Sequence, residues 1–247
     1  MIATEAYGES SGRLFLPPAF TGFPVAGEAH PFDVAQERAG EEGAGALFHA
    51  ERPGLFAFAL VLEPDVPLAR ARRAFPVAMA AVADALAAHC LPERSVSIGW
   101  PGVLLYDTSR IGGGRLAWPR DCAEGEVPDW LVFGVDLIRD RDAVAEPGRF
   151  PETTSLREEL FDGPLEILES FARNATRRFD LWEAQGYDAA IADFLHRLEG
   201  VASGARCRIG PTGDLLIREA GRERTRPLVP ALVEAAWFDS VAGGPRL

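Results

Sequence analysis

Trp130 to Ile138, WLVFGVDLI, is apolar at all but one of its nine positions if Gly134 is counted with the apolar residues. A strand with one wet face alternates apolar and polar side chains, so a run like this reads as a strand covered on both faces. That puts a sheet in the middle of the chain and requires a layer of helix or further chain on each side. Asp136 is the exception within the run. A carboxylate there is costly unless paired, so it either faces a cleft or meets an arginine.

The segments around this strand supply the layers. Leu14 to Pro24 is a proline-rich extended lead-in following a mobile tail from Met1 to Gly12. His30-Pro31-Phe32 opens a short helix, with proline in its first turn, that ends in the glycine-containing loop from Gly40 to Gly45. Ala46 to Ala50 and Leu55 to Leu62 form a hairpin across the short turn Glu51-Arg52-Pro53-Gly54. Leu68 to Cys90 is a helix burying the stripe Phe75, Met79, Val82 and Leu86, with Pro76 marking a kink or its true start. Val96 to Ile98 and Val103 to Tyr106 are strands, and the turn Asp107-Thr108-Ser109 precedes the triple glycine Gly112-Gly113-Gly114. Ser155 and Glu158 match a capping box, so a helix is expected to start there. A longer helix carries Leu165, Leu168, Phe171, Ala175, Phe179 and Trp182 on one face, and a third spans Tyr187 to Leu198. Ala205 to Ile209 and Leu215 to Glu219 form a β-hairpin in a tail of about 45 residues, too small for its own core. The fold class is α+β, a mixed sheet packed by helices with a small β-rich C-terminal part.

A formal net charge of −12 disfavours nucleic acid or an anionic membrane as a broad-surface partner. The N-terminus, MIATEAYGESSGR, carries acid where a signal peptide needs basic and then apolar residues, so a cytoplasmic protein is expected. Cys90, Cys122 and Cys207 show no metal or redox spacing and read as reduced, and no metal site is expected from the scattered histidines. His49, His196 and Cys90 lack partner motifs and read as structural. The chain contains no lysine, which leaves arginine as its only permanently cationic side chain.

In this order the motifs resemble those of the biotin and lipoate protein ligase family. Trp100-Pro101 is similar to the first half of that family's Trp-Pro-Asn-Asp strand, and Arg110-Ile111-Gly112-Gly113-Gly114 stands where its lysine and glycine-rich segment follow. Val132 to Ile138 is similar to its apolar Gly-Ile-Asn strand, and Thr154 to Glu159 to the helix start after it. Ile209 to Leu216 looks like a hairpin of its small SH3-like C-terminal domain. The resemblance implies a lead-in at 1–28, a catalytic domain at 29–199 and an SH3-like domain at 200–247. It also implies ATP and Mg²⁺, biotin or a lipoyl-type acid as substrate, a carrier-domain lysine as acceptor, and a homodimer through a sheet edge.

The chain departs from the family where charge is handled. Only Glu51-Arg52-Pro53-Gly54 stands in place of the long glycine- and arginine-rich phosphate loop, and Gly102 and Val103 replace the Asn and Asp. Arg110 replaces the lysine, while Asp136 and Ile138 replace the Gly and Asn of the apolar strand. The ligase reading therefore assigns Arg110 as the anion clamp, Gly112 to Gly114 as the backbone wall, Trp100 as the floor, and Arg52 or Arg115 as a converging cation beside Asp136. The alternative is a non-catalytic relative that binds a small carboxylic acid or a carrier protein. Each residue also has a plain role: Trp100 in the core, the glycines at a bulge, Arg110 paired with Asp136 or Asp107, and Arg52 facing solvent.

Overall fold

The computed structural model describes residues 14–202 and 204–247, so the expected tail from Met1 to Gly12 lies outside the described residues. The main sheet has seven strands: β1 (Thr21–Pro24), β2 (Ala46–Arg52), β3 (Leu55–Leu62), β4 (Val96–Gly99), β5 (Val103–Tyr106), β6 (Ser109–Ala117) and β7 (Leu131–Ile138). Their spatial order is β1-β2-β3-β7-β6-β5-β4. Only β1 is parallel to its neighbour, so the sheet is mixed.

Strand β7 is buried along its whole length because both layers exist. On one face, α3 (Ala74–Ala88) and α4 (Pro164–Gln185) pack Phe75, Met79, Leu86 and Phe171 against Phe58 and Phe133. On the other, α1 (Pro31–Glu42) places Phe32, Ala35 and Ala39 over Phe48, Ala59 and Val132. The Leu68 to Cys90 segment is two helices, α2 (Leu68–Ala71) and α3, and Pro76 sits in the first turn of α3, where its missing N–H breaks no helical bond.

Two helical expectations are corrected. Glu158 N–H donates to the Ser155 hydroxyl at 3.3 Å, yet no helix follows. The N–H groups of Leu156 and Arg157 instead bond the carbonyls of Ile138 and Arg139 at the end of β7. Arg141 takes both oxygens of Glu158 at 2.7 and 2.9 Å, and Leu160 closes the turn at φ 57°. The expected third helix is broken at Ile191 into α5 (Tyr187–Ala190) and α6 (Ala192–His196). Arg178, only 2% exposed, takes the Ala190 carbonyl at 3.1 Å and pairs with Asp84 and Asp193, locking α3, α4 and α6 together.

The C-terminal part is richer than the expected hairpin. Strands β8 (Arg206–Ile209), β9 (Leu215–Glu219) and β10 (Arg222–Arg226) form an antiparallel three-stranded sheet, and Ile209, Leu215, Ile217 and Leu228 belong to the main core cluster. Helix α7 (Leu228–Glu234) then leads to a minimal hairpin of β11 (Phe238–Asp239) and β12 (Gly244–Pro245). Among the described residues, no helix is long and apolar enough to cross a membrane.

Candidate functional site

Three strands bring small residues into one row: Asp136 of β7 lies opposite Ala57 of β3 on one side and Gly113 of β6 on the other. The Asp136 carboxylate is fully buried. It is held from two directions. His30 caps α1, and its Nδ1 accepts the Phe32 N–H at 3.1 Å, which assigns the hydrogen to Nε2 for donation to Asp136 Oδ1 at 2.7 Å. Arg115 Nε forms an ion pair with Asp136 Oδ2 at 3.0 Å. The Arg115 guanidinium is sandwiched between the Phe32 ring at 4.3 Å and the Phe238 ring at 4.0 Å. The acid in the apolar strand thus meets an arginine, and that arginine is Arg115 rather than Arg110.

The triple glycine is divided among three environments. An irregularity in the β5–β6 register places Leu104 opposite Gly112 and Leu105 opposite Arg110, leaving Ile111 as the extra residue of a bulge. Gly112 lies against the Asp136 carbonyl and Leu137, and Gly114 against Met79 and Phe75 of α3. Gly113 alone faces the row of small residues, and a Cβ there would stand 2.5–2.7 Å from ring atoms of Trp237. The expectation of one continuous wall from Gly112 to Gly114 is corrected accordingly. Trp100 is not the floor of this row: it packs edge-on against Phe194 of α6, centroids 6.4 Å apart, on the helical side.

Trp237 comes from the C-terminal segment and is 4% exposed. Its carbonyl accepts the Arg246 N–H at 2.8 Å, and the Arg246 carbonyl in turn accepts from Arg110 Nη2 at 2.9 Å. Burial, followed by the neighbouring Arg246 charge, lowers the Arg110 pKa from its ordinary value. Arg52 on the β2–β3 turn donates to the carbonyls of Glu28 and Ala29. It also edges a pocket of about 600 Å³ together with His30, Gly243 and the acids Glu28, Asp33 and Glu37. The row is thus ringed by Arg52, Arg110 and Arg115, each with an acceptor from the chain itself. Sequence reasoning missed His30, Trp237, Phe238 and Arg246; the Trp237-Phe238 pair beside the chain end was the available signal.

The residues here do not fit a nucleotide triphosphate. The turn offers one guanidinium, already held by two carbonyls, and the adjoining pocket presents three carboxylates. Among the described residues, no group of three His, Cys, Asp or Glu side chains could hold a metal ion.

The remaining candidates lie elsewhere. His196 is exposed, and burial raises the pKa of the Cys90 thiol. His49 pairs with Phe58 across β2 and β3, and burial lowers its pKa from 6.5. The unfolded chain then binds the proton first, so this contribution to stability is complete above pH 6.5 and is lost as pH falls toward the folded value. Melting temperatures measured from about pH 7.5 to 5 are expected to fall with a slope that His49→Gln reduces.

The sequence profile of the Biotin/lipoate A/B protein ligase family matches residues 16–196. A biotin protein ligase-like protein of unknown function from a Silicibacter species superimposes with a TM-score of 0.76 at 28% identity, covering 90% of this chain and 100% of that one. The Aquifex aeolicus biotin protein ligase, as a point mutant carrying biotin, gives 0.62 at 12% identity over 84% of this chain and 95% of its own. The Leishmania major biotin protein ligase with biotin gives 0.54 at 14% identity over 85% and 99%. No curated protein matches the chain in sequence. With its family profile spanning most of the chain and its mixed sheet matching the biotin ligase catalytic fold, the protein belongs to the Biotin/lipoate A/B protein ligase family.

Proposed function

We propose that this family member binds a small carboxylic acid of the biotin or lipoate kind without activating it, on the strip beneath its own C-terminal hairpin. The observation that carries this reading is what the hairpin lays on the strip: an indole ring on Gly113 and a carbonyl oxygen on Arg110. Three residues of extended strand separate those positions, about 10 Å. An apolar body with an oxygen acid at its far end offers the same two groups. Gly113 lets the body lie close to the sheet, and Arg110 would exchange a neutral carbonyl for a carboxylate, the stronger partner for a guanidinium. Adenylation asks for more. Charge gathering on a phosphate needs several preorganised donors, each worth about 3 kcal/mol in the transition state, and Arg52 is already held by backbone carbonyls.

The test is calorimetric titration with biotin, lipoate and octanoate, with and without Mg-ATP, and mass spectrometry for adenylate. Intact protein and Trp237→Ala are compared. Acid binding that is indifferent to ATP, stronger in Trp237→Ala and weakened by Arg110→Ala is the expected result. Adenylate from either protein would show a working ligase instead. Failure of Trp237→Ala to bind any of the three acids would remove the acid-binding reading.

A further inference from the structure

At the far end of the sheet, where β3 finishes at Leu62 and β7 begins opposite it at Leu131, the chain forms a second cavity of about 450 Å³. Its lining is largely apolar, drawn from Leu62, Val66, Ala74, Leu131 and the stacked rings of Phe179 and Trp182, whose centroids are 6.2 Å apart. The volume lies within the roughly 300–1,000 Å³ typical of small-molecule sites.

One half-buried cation enters this lining. Arg73, the residue before α3, has its guanidinium 3.5 Å from the centroid of the Tyr187 ring. No carboxylate pairs with it among the described residues. Its neighbours behave differently. Arg72 holds Glu124 through two bonds at 2.7 and 2.5 Å, and Arg178 holds Asp84 and Asp193. The other charged side chains of the cavity, Glu63, Asp65, Arg70 and Glu183, are exposed at its rim. A guanidinium that lines an apolar wall without a carboxylate of its own is matched by one brought by a ligand, in the geometry the group is built for. Tyr187 steadies the cation through its ring face.

We propose that this cavity is a separate binding site for an amphipathic monocarboxylate, its apolar body against Phe179 and Trp182 and its carboxylate on Arg73. The site is independent of the strip near Arg110. The eight residues of β3 separate the two ends of the sheet, a distance of about 23 Å.

The test is titration of Arg110→Ala, which takes the acid's partner away from the strip, with octanoate and with its neutral counterpart 1-octanol. Octanoate is expected to bind at least about tenfold more tightly. In this background Arg73→Gln should bring octanoate down to the affinity of the alcohol, and Val66→Trp should abolish binding of both by filling the cavity. Equal binding of acid and alcohol by Arg110→Ala, or octanoate binding in this background that survives Val66→Trp, would overturn the assignment. So would octanoate binding that disappears in Arg110→Ala, a result that leaves the strip as the acid site.

Discussion

Arg115→Ala is expected to lower the free energy of unfolding by about 3–5 kcal/mol, measured by urea denaturation. The variant leaves Asp136 fully buried in the sheet with only the His30 imidazole as donor, and it removes the cation from between Phe32 and Phe238. An uncompensated buried carboxylate carries most of its desolvation cost undiminished, which is why breaking such a pair is worse than never having it. The double variant Arg115→Met/Asp136→Ala should therefore recover much of the loss, since it removes the charge as well as its partner. A loss below about 1 kcal/mol in Arg115→Ala would mean that water reaches the carboxylate and the pair behaves as a surface ion pair.

Trp237→Ala should have an effect of similar size confined to one region. Replacing a buried tryptophan by alanine costs about 3–5 kcal/mol where the site cannot collapse. Here the indole covers Gly113, and the two-residue strands β11 and β12 contribute few bonds of their own. The expected outcome is local opening of residues 237–247 with the main sheet intact, seen as early proteolytic cleavage there and an almost unchanged global urea midpoint. Each 1.4 kcal/mol removed from closure of the hairpin should raise acid affinity on the strip about tenfold, until the strip is fully open. Cleavage no faster than in the parent protein would show that the segment is held by its other contacts, chiefly the Arg110 bond to the Arg246 carbonyl.

Much of the scaffold was legible because it depends on near neighbours in the chain. The all-apolar run around β7 required two covering layers, and helices α3 and α4 on one face and α1 on the other provide them. The stripe from Leu165 to Trp182 became a single helix, and the Arg52-Pro53-Gly54 turn joined two strands as its residue types require. The capping-box reading at Ser155 failed beyond its first turn: Ser155 and Glu158 bond each other, but Glu158 is also held by Arg141, and Leu160 at φ 57° ends the turn. The break at Ile191 coincides with another such contact, Arg178 on the Ala190 carbonyl.

The candidate site shows the same division more sharply. Its arginines, its glycines and Asp136 could be named from residue type and order, together with the absence of lysine. Their partners could not, because His30 and Asp136 are 106 residues apart and Arg110 and Arg246 are 136 apart. Hydrophobic period and turn chemistry act over a few residues, so the sequence by itself determined the layered α+β architecture and the inventory of charged groups. Which arginine neutralises Asp136, and that Trp237 covers Gly113, were decided only when the sheet and the C-terminal hairpin closed the chain on itself. A buried charge takes the partner that packing brings within about 3 Å, and no local pattern in the chain encodes that choice.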